Sequence, residues 1–247
     1  MAQTNYPHQW QSFPAGPDFF DFWEDWADEY TGQTTSAAAG NRWIHTLLSS
    51  GTFAQTTDEK FGVAVLSGAA TTDNSGAQIQ ADMETCSLVT SKTTRFIVRL
   101  KLSDATQDEF FAGLAITDTT LLDGTGTLAA GLTHTDSVGF YKPDGATDVY
   151  CVVRRDSVNV VSFSVGSVAA DTYAVFAFEV VMSSTAGTGQ IRAAKDGNWV
   201  TQAGGGYSTV MPYDSEEILA PSLAFNTGDN VGTKTLTVDY LGVLQER

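Results

Sequence analysis

The sequence predicts an all-β protein: two antiparallel sheets packed face to face as a sandwich, preceded by an aromatic-rich N-terminal arm or short helix. Three observations carry this reading. From Arg42 onward apolar residues recur with a period of two, the spacing of strands that bury one face. The runs are short and bounded by Gly, Asp and Asn turn signals. No helical period lies between them, and no repeat of roughly 20–50 residues points to a propeller or solenoid. Closure into a barrel is the alternative arrangement. A chain of 247 residues is within reach of one large β domain.

Residues 1–41 stand apart and are predicted as an arm, with residues 42–247 as the sandwich. They contain no Lys or Arg, the first being Arg42, yet nine aromatics fall within the first 30 positions: Tyr6, Trp10, Phe13, Phe19, Phe20, Phe22, Trp23, Trp26 and Tyr30. Pro17 to Tyr30 reads as a short helix with Asp18 as N-cap. Phe19, Phe22, Trp23, Trp26 and Tyr30 then share one face. Residues 31–41 are a small-residue loop.

The strands follow in order. Trp43–Leu48 carries His45. Phe96, Val98, Leu100 and Leu102 alternate with Arg95, Arg99 and Lys101, which gives one wet face. Phe110–Ile116 and Val138–Tyr141 come next, and Pro143-Asp144-Gly145 makes a turn. Val149–Arg154 and Val158–Val165 form a hairpin across Arg155-Asp156-Ser157. Tyr173–Met182 is apolar on both faces, the pattern of a central strand. Gln190–Ala194 turns at Asp196-Gly197 into Trp199-Val200. Leu219–Asn226 and Leu236–Leu244 end the series, with Leu236, Val238 and Tyr240 expected on one face.

Composition narrows the function. Thirteen Lys+Arg against 29 Asp+Glu give a net charge of −16. Such a surface repels phosphate backbones and anionic lipid, so no nucleic acid and no membrane partner is expected. No apolar run approaches the length of a membrane span. The first residues have no basic n-region or apolar h-region, which predicts folding in a cytoplasm. Cys86 and Cys151 sit in apolar runs and read as two buried thiols.

Five phrases in order resemble the concanavalin A-like jelly roll of legume lectins, laminin-G domains and many glycoside hydrolases. They are Phe110-Phe111-Ala112-Gly113-Leu114-Ala115-Ile116, Val138-Gly139-Phe140-Tyr141, Asp196-Gly197-Asn198-Trp199, Ser222-Leu223-Ala224-Phe225-Asn226 and Leu236-Thr237-Val238-Asp239-Tyr240. The resemblance covers about residues 42–247. Ser103-Asp104-Ala105-Thr106-Gln107, Gly113 to Leu121 and Thr233 to Tyr240 are similar to segments of tailed-bacteriophage virion proteins. That resemblance implies a capsid decoration, or cement, protein. It would be made in the host cytoplasm, carried on the capsid exterior, and bound to a shell of major capsid protein and to itself as a dimer or trimer.

Catalytic signatures are sparse in the sequence. Glycoside hydrolysis needs two carboxylates about 5–10 Å apart, and in related hydrolases a Glu-x-Asp-x-(x)-Glu strand presents them. No such strand occurs here. Nor does a Gly-x-Ser-x-Gly elbow, a phosphate loop, or a partner pattern for His8, His45 and His134. The expectation is therefore no enzyme, no catalytic residues and no cofactor. Asp118, Asp123, Asp136 and Asp144 are hard ligands of the type calcium takes, but their spacing matches no known loop, and no metal is expected.

Two binding surfaces remain. Tyr6, Trp10, Phe13, Phe19, Phe22, Trp23 and Trp26 are candidate partner-binding residues. Nine buried rings would contribute up to about 45 kcal/mol, and ordering 30 residues costs about as much, so the arm needs a surface to dock on. The alternative is a lectin-like module of a tail fibre or spike, with Trp199 and Tyr207 as the glycan platform.

Overall fold

The computed structural model describes residues 19–26, 43–56, 62–82, 84–124, 126–128, 131–132, 136–155, 158–185, 188–200, 218–228 and 232–246. Among these, sixteen strands form two sheets and there is no helix. They are β1 (Phe19–Glu24), β2 (Trp43–Leu48), β3 (Thr52–Thr56), β4 (Val63–Gly68), β5 (Gly76–Ala81), β6 (Cys86–Ser87), β7 (Thr93–Leu102) and β8 (Asp108–Ala115). The second half holds β9 (Ser137–Lys142), β10 (Asp148–Arg155), β11 (Val158–Ser167), β12 (Ala174–Met182), β13 (Gly189–Lys195), β14 (Asn198–Val200), β15 (Ile218–Thr227) and β16 (Lys234–Glu246).

The first sheet runs β14-β13-β12-β7-β16-β4-β3, with β1 also paired to β16. The second runs β11-β10-β9-β8-β15-β5-β2, with β6 on β15. The pairings are antiparallel. The period-two pattern explains the core. Phe96, Val98 and Leu100 of β7 face Phe110, Ala112 and Leu114 of β8 across one apolar layer. Phe140 of the second sheet meets Phe176 at 5.2 Å and Phe178 at 5.9 Å from the first.

Two expectations are corrected. Phe19–Glu24 is a strand, not a helix. β4 pairs only with Lys234–Val238 of β16, which leaves Leu241–Glu246 with an open edge, and β1 fills it from Phe19↔Glu246 to Glu24↔Leu241. An unfilled edge exposes a row of backbone donors and acceptors, and aromatic residues suit a pleated surface. Phe22 turns into the core, and the Glu24 carboxylate accepts bonds from Trp26 N (3.1 Å) and Trp43 Nε1 (3.0 Å). Second, Tyr240 does not share a face with Leu236 and Val238. A bulge between Val238 and Tyr240 places Asp239 as an extra residue opposite β7, which reverses the alternation beyond it. Strands β3 to β5 were not singled out in the sequence. Both cysteines are buried free thiols, and burial pushes the Cys86 thiol up to about 12 and that of Cys151 higher still.

Candidate functional site

The outer face of the first sheet carries a continuous row of residues in register. It runs Trp199 (β14), Ala194 (β13), Ala177 (β12), Ile97 (β7), Gly242 (β16) and Trp23 (β1). Five interstrand steps of about 4.8 Å make the row roughly 24 Å long. Ala194, Ala177 and Ile97 in its middle are buried, each about 1% exposed, and a tryptophan stands at each end. Trp23 is 38% exposed and stacks on Tyr240, with ring centroids 5.2 Å apart and planes 20° apart. It lies flat because Gly242 is bare beneath it: a Cβ there would sit 2.6 Å from Trp23 Cε3.

Guanidinium groups flank the row on both sides. On one side Glu179 accepts from Arg95 at 2.6 Å and from Arg192 at 2.7 Å. Arg192 also lies over the Trp199 ring, 4.3 Å from its centroid. On the other side Arg99 pairs with Asp239 and covers the Tyr173 ring at 4.0 Å, with Lys101 at 4.7 Å from the same ring. Such cation–π contacts contribute about 0.5–1 kcal/mol each at exposed sites, and the row has polar rims.

The outer face of the second sheet is occupied by the chain itself. Leu121, Leu122 and Leu132 pack on Phe111, Ala115, Tyr141, Val152 and Ala224 as a separate small core. Gln78 and Gln80 of β5 pin this cover. Gln78 donates to Asp118 O at 2.6 Å and accepts from Leu121 N at 2.8 Å. Gln80 donates to Ile116 O at 3.0 Å and accepts from Asp118 N at 2.9 Å. Under the cover the Tyr141 hydroxyl donates to Glu109 Oε1 at 2.5 Å. Desolvation raises Glu109 to about 7, against the pull of the Tyr141 bond, and Asp123 and Asp144 add negative charge nearby. Next along β8, Asp108 points the other way and closes one end of the core. Burial raises it to about 7. The buried Lys142 ammonium donates to the carbonyls of Thr106 (3.3 Å), Asp108 and Pro143 (3.1 Å), and burial lowers it to about 8.

The sequence candidates divide between buried and exposed positions. Phe22 and Trp26 are in the core, where Trp26 meets Trp43 at 5.3 Å. They anchor β1 and do not face a partner. Phe19 opens β1. Trp23 and Trp199, drawn from the two rival sets, come up on one row of one face. Tyr6, Trp10, Phe13 and Tyr207 lie outside the described residues. Among the described residues no group of three or more His, Cys, Asp or Glu is placed to hold a metal. The site residues the sequence did not reveal are Arg95, Arg99, Arg192, Tyr173 and Tyr240. Arg95 and Arg99 were visible as a wet face, but their partners Glu179 and Tyr173 lie far along the chain.

Two eight-stranded antiparallel sheets in this order define a jelly-roll sandwich of the concanavalin A-like kind. Solved structures share it. The chain is similar to an endo-1,3-β-glucanase from Streptomyces sioyaensis, with TM-score 0.58 and 11% identity over 95% of this chain and 99% of that one. It is similar to peanut lectin, with TM-score 0.54 and 14% identity over 92% and 97%. A third likeness is an endo-β-1,4-glucuronan lyase from Trichoderma reesei, with TM-score 0.54 and 12% identity over 90% and 94%. No protein-family model and no curated protein sequence matches the chain. These likenesses overturn the expectation that the chain is no enzyme, because the fold is one that a glucanase and a lyase also carry. That expectation rested on a missing carboxylate motif within one strand.

Proposed function

We propose that this chain is a lectin-like sandwich that holds a glycan along the Trp23–Trp199 row. The observation that carries the reading is the pair of tryptophans on one register row, rimmed by Arg95, Arg99 and Arg192. Aromatic rings cover the C–H faces of sugars, and fixed guanidinium donors reach their hydroxyls. The likeness to peanut lectin and to a glucanase supports a sugar as the ligand class. The test is calorimetry with neutral gluco- and galacto-oligosaccharides. Binding should weaken tenfold or more in Trp23→Ala and in Trp199→Ala. Equal affinity in both variants and the native chain removes the row from the account.

A second reading is favoured by the virion-like phrases and by the anchoring of β1. Phe22 and Trp26 are fixed in the core and hold β1 on β16 in the first sheet. The chain is then a decoration protein on the exterior of a phage capsid, binding the major capsid protein shell and self-associating as a dimer or trimer. Removing residues 1–18 should lower occupancy on purified shells, and unchanged occupancy counts against it.

A further inference from the structure

The paths of the two sheets end at β14, β3, β11 and β2. β11 is the longest of these edges, at ten residues against three in β14, five in β3 and six in β2. Among the described residues it pairs with β10 alone. An edge strand presents a row of backbone donors and acceptors, and natural edges are blunted by lysine, proline or short length. β11 is not blunted in these ways: it is long and contains neither a charged residue nor a proline.

The middle of this edge reads the same in both directions. Val161-Ser162-Phe163-Ser164-Val165 is a palindrome centred on Phe163. Val161, Phe163 and Val165 turn into the core, while on the other face Ser164 is exposed and Ser162 half-buried. Over residues 161–164 the strand keeps straight register with β10, and the register shifts on either side. Bulges bend a strand away from its plane, so an added strand meets the centre. A two-fold contact must be self-complementary: residue i meets j, and j meets i. An antiparallel copy centred on Phe163 sets Phe163 against itself, Ser162 against Ser164 and Val161 against Val165. Aromatic pairs and hydroxyl pairs of this kind are favourable cross-strand neighbours. Charge does not oppose the approach. Across residues 149–170 the charged side chains are Arg154, Arg155 and Asp156, two cations and one anion, in a chain whose net charge is −16.

We infer that β11 is a dimer surface: two copies of this chain join edge to edge through Val161–Val165, antiparallel about Phe163, and their second sheets become one continuous sheet. An unrelated peptide has no reason to carry the matching pattern, whereas a second copy carries it by construction. Each copy offers the same edge, so the contact closes at two and does not grow into a fibre. Directly opposed residues of an antiparallel pair share a face, which puts both first sheets on the same side of the joined sheet. A Cβ on Gly166 of β11 would stand 3.4 Å from Lys195 Cδ of β13, so the β14 end of the first sheet lies over the β11 end of the second. Both Trp23–Trp199 rows then face one way, with their Trp199 ends toward the axis. On the glycan reading the dimer presents two rows to one surface, which raises avidity. The dimer itself rests on β11 and on neither functional reading.

Sedimentation velocity of the full chain without any sugar tests the inference, from about 1 to 200 µM, the range suited to a small interface. The native chain should pass from monomer to dimer with rising concentration. Ser164→Lys and Ser162→Glu each bring two like charges together across the axis and should raise the dissociation constant about tenfold or more. Unchanged thermal transitions at low concentration show that each variant still folds. Mixing the two variants sets the new lysine of one chain opposite the new glutamate of the other, and the mixture should dimerise where neither variant alone does. A native chain that stays monomeric throughout overturns the inference. So does a dimer indifferent to Ser164→Lys, since it must use another surface, and so does a mixture that fails to pair, since the register about Phe163 is then wrong.

Discussion

Gly242→Ala is the most direct probe of how the Trp23 end of the row is built. On backbone grounds the change should help, since glycine weakens a strand interior by roughly 0.5–1 kcal/mol relative to alanine. The structure reverses the sign. The new Cβ would stand 2.6 Å from Trp23 Cε3, 2.7 Å from Cζ3 and 3.1 Å from Ile97 Cγ2, where carbon atoms need about 3.5–4.0 Å. The indole must move by about 1 Å or leave Tyr240. Losing the stack costs about 0.5–1.5 kcal/mol. Full release also exposes a covered area on the order of 150 Å², or about 4 kcal/mol as an upper bound. The expected net cost is about 1–4 kcal/mol, with a red shift in tryptophan emission. Chemical denaturation of Gly242→Ala in the native and Trp23→Ala backgrounds isolates the cause. If Trp23 is the obstacle, most of the cost vanishes in the second background. An equal cost in both would refute the reasoning and place the strain at Ile97.

Three further outcomes are expected. Glu109 and Asp108 are both raised to about 7, so the folded state keeps protons that the unfolded chain gives up. Their contribution to stability is full below about pH 4 and is lost as pH rises through 7, by about 3 kcal/mol for Glu109. Urea midpoints at pH 5 and pH 8 should differ in that direction, and by less in Glu109→Gln. Gln78→Ala removes bonds to Asp118 O and Leu121 N and should cost about 1–3 kcal/mol, with loss of protection at the Leu121 amide. Cys86 and Cys151 should resist a thiol reagent in the folded protein and react on denaturation, as two buried thiols with raised pKa must.

The sandwich was legible because burial imposes a period of two. Phe96 to Leu102 and Val149 to Val165 announced their strands through it, and Asp196-Gly197 marked its hairpin. Strands β3 and β5 were silent because Thr, Gln, Ala and Gly dominate them, and β4 is a short unbroken apolar run, Val63 to Leu66, with no alternation. Gln78 and Gln80 face the cover, where their amides satisfy loop backbone and break the apolar alternation. The N-terminal aromatics fit a helical face as well as a strand. Only the vacant edge of β16, formed more than 200 residues later, decides between them. The bulge at Asp239 is likewise invisible locally, yet it moves Tyr240 to the outer face where Trp23 meets it. The row itself joins six strands, and no local pattern could reveal it.

The thirteen-residue strand β16 holds β7 on one side and both β4 and β1 on the other. It also follows every other described strand in chain order. During synthesis the first sheet therefore waits in two halves, with β7 already emerged and its partner still to come. Arg99 and Asp239, which meet across that seam, are separated by 140 residues. Loops of such length close slowly. The nascent protein keeps greasy, half-built edges apart until β16 is made, which makes this strand the keystone of the first sheet.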